Sequence, residues 1–255
     1  MALVEPVPGE PVAVATLESG PDPDRALVVA DFHAGIEQAL RAEGVSLDSR
    51  AEQRRQRLVS LVAETGADRV IFLGDLMHAI GDPGGAERGE IEVLLEALDD
   101  RGVPATLVKG NHDGAIESWA DLEVTNGAGV RLGDVGFAHG HTWPAPEVLD
   151  SETVCVGHEH PAVRLEDEVG GSRVERVWLR GPLSERPFAE RESGGGESIR
   201  DGAELIVFPA FNELVGATWV NVDGQGFLAP FLPEGLADGQ AYLLDGTRLG
   251  AYAAV

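Results

Sequence analysis

Three apolar runs in the first half of the chain each stop at a polar cluster, and this repeated ending constrains the fold more than any other feature. Ala26-Leu27-Val28-Val29-Ala30 leads into Asp31-Phe32-His33, Val70-Ile71-Phe72-Leu73 into Gly74-Asp75, and Ala105-Thr106-Leu107-Val108 towards Gly110-Asn111-His112-Asp113. Short continuous apolar runs fit strands buried on both faces. Helical patterns separate them. Residues 35–43 read as a helix, and Ser49 and Glu52 have the spacing of a capping box. The next helix carries Leu58, Leu61 and Val62 on one face up to about Thr65, and Ile91, Leu94, Leu95 and Leu98 repeat at i, i+3, i+4 and i+7 before Gly102 and Pro104. Strand, helix, strand, helix, strand predicts right-handed crossovers and a parallel sheet covered by helices. Such sheets bind ligands at the carboxyl edge of their strands, so the polar clusters should meet there.

Around this unit the pattern is looser. Residues 1–25 read as a lead-in with an edge strand at 11–17, and from about residue 121 short strands follow at 130–132, 135–138, 153–156, 162–165 and 174–179. They predict a second, partly antiparallel sheet packed on the first. Residues 182–202 read as a mobile surface insertion, after which strands resume at 204–208 and 218–222. There is no internal repeat and no self-sufficient core after residue 203, so residues 1–255 are read as one domain.

All seven histidines fall between Asp31 and His160, grouped as Asp31-Phe32-His33, Asp75-Leu76-Met77-His78, Asn111-His112-Asp113, His139-Gly140-His141 and His158-Glu159-His160. This clustering points to a site for more than one metal ion. Side chains at i and i+2 of a strand share a side, so Asp31 and His33 can reach one ion if strand geometry persists, and likewise His158 and His160. Asp75 at a strand end can bridge two ions, Asn111 adds a neutral oxygen and His139 an imidazole. The donors divide into Asp31, His33, Asp75 and His160 for one ion, and Asp75, Asn111, His139 and His158 for the other. Two ions about 3.5–4 Å apart can generate a hydroxide nucleophile and clamp phosphoryl oxygens. Nitrogen and oxygen donors without thiolate suit Mn, Fe, Zn or Co better than Ca or Mg; of these Mn²⁺ is the ion expected, with Fe, Zn and Co as alternatives.

The charge narrows the setting. With 44 acidic and 19 basic residues the formal net charge is -25, and Lys109 is the only lysine. Such a surface repels itself unless salt screens it, which fits a cytoplasm at molar salt as in halophilic archaea. It argues against an extended basic groove for nucleic acid. The single cysteine, Cys155, sits in an apolar run and excludes an internal disulfide. No stretch approaches the roughly 20 apolar residues of a membrane span, and the N-terminus has no signal pattern, so the expectation is a cytoplasmic protein without a membrane partner.

The order of the five clusters resembles that of the calcineurin-like metallophosphoesterases. Val29-Ala30-Asp31-Phe32-His33-Ala34-Gly35-Ile36-Glu37, Gly157-His158-Glu159-His160-Pro161 and Leu205-Ile206-Val207-Phe208-Pro209-Ala210-Phe211-Asn212 look like the archaeal phosphoesterases related to the SbcD nuclease. The resemblance implies a four-layer α/β/β/α sandwich, two mixed sheets flanked by helices, with a two-metal site that hydrolyses phosphoesters. It implies that His112 stands beside the substrate, stabilising the transition state or protonating the leaving oxygen, and that Asp113 orients the loop. Many phosphatases of the superfamily carry an aspartate where this chain has His78, and that aspartate pairs with the catalytic histidine. Histidine there is similar to the SbcD-type nucleases, where it faces substrate; it leaves the partner of His112 open and favours phosphodiesters.

The expected function is therefore a nuclease-like phosphodiesterase acting on a nucleotide or nucleic acid. The alternatives are a phosphomonoesterase or nucleotide pyrophosphatase, and a non-catalytic scaffold of the same fold. His141 could touch phosphate or cap a turn, Asn212 is expected to make a structural hydrogen bond, and the tryptophans are expected in the core or at its rim. No feature of the chain specifies a protein partner.

Overall fold

The computed structural model describes residues 2–17, 24–167, 169–189, 199–222 and 224–255. The first sheet has the order β1-β2-β3-β4-β5-β6, formed by Val4–Pro6, Val12–Thr16, Arg25–Val29, Arg69–Phe72, Ala105–Val108 and Glu123–Thr125. Strands β3 to β6 run parallel, while β1 and β2 form an antiparallel extension. The helices α1 (Ile36–Ala42), α2 (Ala51–Thr65) and α3 (Gly85–Asp99) supply the crossovers.

The second sheet starts with β7 (Val130–Leu132) and β8 (Val135–Ala138), followed by a short helix α4 (Pro146–Leu149) and β9 (Thr153–Val156). A long hairpin of β10 (Pro161–Glu166) and β11 (Ser172–Pro182) leads to the short α5 (Arg186–Ala189), then β12 (Glu204–Val207), β13 (Thr218–Trp219), β14 (Gln240–Leu243) and β15 (Arg248–Ala251). At its centre β8, β9 and β12 are parallel, and β10, β11 and β14 are joined to it by antiparallel pairing.

Strand alternation builds the layers. In β3, Ala26 and Val28 face the second sheet in a core shared with Val135, Phe137, Cys155, Trp178 and Ile206. Leu27 and Val29 face the other way, onto Leu58, Leu61 and Val62 of α2 and Ile91, Leu94 and Leu98 of α3. The far side of the second sheet is covered by Val148, Leu149, Phe188 and Phe231. Both faces of the central strands are dry, which is why they read as continuous apolar runs rather than alternating ones. The expected two mixed sheets flanked by helices are present, with the outer layer of the second sheet built from short helices and coil.

Several expectations change. The strand at Val12–Thr16 is not an edge, because Val4–Pro6 pairs outside it. The capping box does not form: Arg50 holds the N-cap position, its N–H donates to Glu37 Oε1 at 2.8 Å, and Ser49 lies one residue further out. A carboxylate from α1 thus takes the N-cap N–H, while the Ser49 hydroxyl accepts the Ala51 N–H at 3.3 Å. The flanks of the expected mobile insertion at 182–202 are packed, with Leu183, Phe188 and Ile199 buried in the outer core, because the far face of the second sheet needs apolar cover. Residues 190–198 of that segment lie outside the described residues. Trp178 is buried and Trp143 packs edge-on against Phe188, as expected for core and rim. Among the described residues no helix is long and apolar enough to cross a membrane.

Candidate metal centre

Two triplets of parallel strands, β3-β4-β5 and β8-β9-β12, end at the same place. The loops after them carry Asp31 and His33, Asp75, Asn111 and His112, His139 and His141, and His158 and His160. Close approach at this edge needs glycine. A Cβ on Gly74 would overlap the His139 ring, and one on Gly110 would overlap the Asp75 carboxylate.

Strand geometry, the condition for Asp31 and His33 to reach one ion by strand alternation, does not persist into the loops. Asp31, His33, Asp75, His158 and His160 all have left-handed backbones, with φ of 55°, 47°, 49°, 69° and 44°. The turns, not strand alternation, aim these side chains. His158 and His160 are accordingly split between two groups. Asp31, His33 and His160 bring one donor atom each within 4.8 Å of one another, and so do Asp75, His139 and His158. Asp75 stands between the groups: Oδ2 lies 3.7 Å from His33 Nε2 and Oδ1 lies 3.3 Å from His139 Nε2. The Asn111 amide oxygen is 3.2 Å from His139 Nε2.

The imidazoles are oriented from behind. Nδ1–H of His139 donates to the Leu73 carbonyl at 2.7 Å and Nδ1–H of His160 to the Gly216 carbonyl at 2.9 Å. A carbonyl only accepts, so each ring turns its Nε2 towards the carboxylates, the arrangement by which proteins orient metal ligands. The Nε2 atoms of His33 and His160 are buried without a hydrogen-bond partner among the described residues. His160 Nε2 lies 3.2 Å from Asp31 Oδ1, but not in donor alignment.

Charge supports the same reading. Asp31, Asp75 and Asp113 are all fully buried, and buried carboxylates need positive charge close by. Although burial opposes ionisation, the neighbouring histidines hold Asp31 and Asp75 below the usual carboxylate range. Burial also opposes charge on His139, but Asp75 and Asp31 raise its pKa to about 9. Burial lowers His33 to about 3 and His158 to about 4, which keeps both neutral and able to ligate. This donor set fits a pair of divalent cations.

A third group joins His33, His78 and His112, whose donor atoms also lie within 4.8 Å of one another. His78 Nδ1 is 3.3 Å from His33 Nδ1, and the His78 and His112 rings stack at 5.7 Å. Sequence reasoning left the partner of His112 open: it is the backbone carbonyl of His78, which accepts from His112 Nδ1. Asp113 accepts the N–H groups of Asp75, Met77 and Gly110, and so ties two loops together. His141 borders the second group at 5.3 Å from the His139 ring, and its buried Nδ1 makes no hydrogen bond among the described residues. Asn212 donates to the Phe32 and His33 carbonyls, the structural role expected of it.

The fold and its donor set define a metal-dependent phosphoesterase. The family model for calcineurin-like phosphoesterases matches residues 25–182, and the chain belongs to that family, whose members use two divalent metal ions. Among solved structures, the nuclease MPE of Pseudomonas putida is similar at 20% identity with a TM-score of 0.56, covering 96% of this chain and 100% of that one. The phosphoesterase Yfce from E. coli is matched at 21% identity and a TM-score of 0.35, over 56% of this chain and 73% of its own. A search of curated protein sequences returned no match.

Proposed function

We propose that the chain is a two-metal phosphodiesterase of nuclease-like character, acting on a nucleotide or nucleic acid and using Mn²⁺ as its preferred ion. The observation that carries this reading is Asp75, whose two oxygens face two separate imidazole groups. One ion is assigned to Asp31, His33, Asp75 and His160, the other to Asp75, Asn111, His139 and His158. When bound, the pair supplies an activated water and neutralises charge on the phosphoryl oxygens.

The remaining roles belong to the chain's own side chains. His112 donates Nδ1–H to the His78 carbonyl, so in the doubly protonated ring the Nε2–H is the proton delivered to the leaving oxygen. His78 is half-buried, and burial together with His112 lowers its pKa, so a neutral hydrogen-bonding group stands where a carboxylate would repel phosphate. That favours a diester, which brings a second esterified group instead of a second charge. A groove of about 270 Å³ beside His160, lined by Arg176, Asn212 and Glu213, gives such a group room. The acidic, lysine-poor composition supports a cytoplasm of high ionic strength as the working environment.

The test is turnover of bis(p-nitrophenyl) phosphate by purified protein in molar KCl with Mn²⁺, followed by a panel of mononucleotides, dinucleotides and single-stranded DNA. Asp75→Ala and His112→Ala should abolish hydrolysis. Preference for mononucleotides would move the assignment to a phosphomonoesterase, and no turnover with any ester or metal would sink it.

A further inference from the structure

Glu87 belongs to the first turn of α3 and is only 4% exposed. Its Oε1 accepts two backbone protons, from His78 N–H at 2.6 Å and from Ala79 N–H at 2.8 Å. The Ala79 N–H and the His78 carbonyl are opposite ends of one planar peptide group. That carbonyl is the acceptor for His112 Nδ1–H. A carboxylate at one end and an imidazole N–H at the other thus polarise the same amide in the same direction, and hydrogen bonds in such a chain strengthen one another.

We propose, on the phosphoesterase reading above, that Glu87 is a positioning residue for His112, acting through the 78–79 peptide. In carboxylate–histidine pairs the acid binds the ring directly, fixes its tautomer and raises its basicity. Here one amide is interposed. The ring remains oriented by a carbonyl whose dipole Glu87 enhances, and Nε2 is turned to the substrate.

The surroundings are shaped for this contact. A Cβ on Gly35 would lie 2.6 Å from Glu87 Cβ, so glycine at 35, with φ of 81°, is what lets α3 approach the loop. Gly35 N–H donates in turn to Glu90 Oε2 at 3.0 Å. One turn of α3 therefore braces the His33 and His78 loops together. A plain loop brace would need only an acceptor oxygen, whereas the proposed role needs the negative charge.

Glu87→Gln separates these roles because its amide oxygen can accept both protons in the same place. The expected result is an unchanged Tm, an unchanged two-ion stoichiometry and KM, and a kcat lowered at least about tenfold, within the range for groups behind a site. The loss should be larger for a diester with an alkyl leaving group than for the p-nitrophenyl ester, which departs without a proton. It should vanish in the His112→Asn background, and Glu87→Asp should restore part of it. In NMR spectra the His112 Nδ1–H resonance of Glu87→Gln should move upfield. A kcat within about twofold of wild type, an equal loss in the His112→Asn background, or loss of bound metal would each overturn the proposal. If wild type hydrolyses no ester, the phosphoesterase reading fails instead, and the Nδ1–H resonance still decides whether Glu87 reaches His112.

Discussion

Asp113 lies directly behind Asp75 and accepts its backbone N–H at 2.9 Å through Oδ2, the same oxygen that takes the Gly110 N–H at 2.7 Å. Oδ1 takes the Met77 N–H at 3.1 Å. Burial, reinforced by the Asp75 charge, raises the Asp113 pKa to about 6. Asp113→Asn swaps one acceptor oxygen for an amide that can only donate, leaving at least one buried N–H unpaired. The expected cost is about 1–3 kcal/mol in urea denaturation. Metal affinity should fall about 10–100-fold because the Asp75 loop loses its anchor. An Asp113→Asn protein with wild-type stability and metal titration would refute this.

Gly74 gives a sharper test of the site's spacing. Its φ is 75°, and a Cβ there would overlap His139 Nδ1 and Cγ. Gly74→Ala should leave a folded protein, since the strand before it ends at Phe72, but His139 must turn away from Leu73 and Asp75. Loss of one of two bound ions by elemental analysis, with turnover reduced in parallel, is the expected outcome. Full occupancy would show that the ring has more room than the geometry allows.

What the sequence revealed, and what it concealed, follows physical lines. The three apolar runs marked β3, β4 and β5 because both faces are buried, and polar residues after such runs have few structural reasons to be there. Strands such as Val4–Pro6, Glu123–Thr125 and Gln240–Leu243 are short and partly exposed, so they carry no comparable signal. The site histidines were legible as clusters and their donors could be divided between two ions, but the backbone geometry that aims them was not legible. It depends on left-handed turns, as at His158 and His160, which local pattern does not encode for histidine. The partners behind the rings are the carbonyls of Leu73, Gly216 and His78, and every residue has a carbonyl. Glu87 likewise looked like any acidic residue in a first helical turn.

Behind the centre, Arg54 donates to Glu37 and Glu90, and all three are buried. Removing the guanidinium in Arg54→Ala strands two carboxylates, with an expected loss of about 3–5 kcal/mol. The pH response follows from Glu37. Burial would raise its pKa, but hydrogen bonds from Arg54 and the Arg50 N–H take it below the ordinary value of 4.5. The folded state then holds fewer protons than the unfolded chain, so this stabilisation is present above 4.5 and disappears as pH falls through the folded value. Chemical denaturation of Glu37→Gln should show lower stability near neutrality and a shallower decline on acidification than wild type. Parallel curves would contradict the assignment.

The charge of -25 makes a separate prediction. Self-repulsion should weaken as KCl rises, because the Debye length falls from about 10 Å at 0.1 M to about 3 Å at 1 M. Tm measured by calorimetry should climb steeply over that interval. A flat salt profile would remove the high-salt setting while leaving the catalytic reading intact.

The convergence of two strand triplets has a mechanical consequence. Asp31, His33 and Asp75 hang from one sheet, while His139, His158 and His160 hang from the other. An ion gripped from both sides is a rivet through the sandwich, and prising the sheets apart means losing it. At a free metal concentration a thousand times Kd, such a rivet adds about 4 kcal/mol to the folded state. Chelation should therefore loosen the whole molecule and lower its Tm, far beyond emptying a pocket, so that the chemistry of the rim and the cohesion of the two halves rest on the same few bonds.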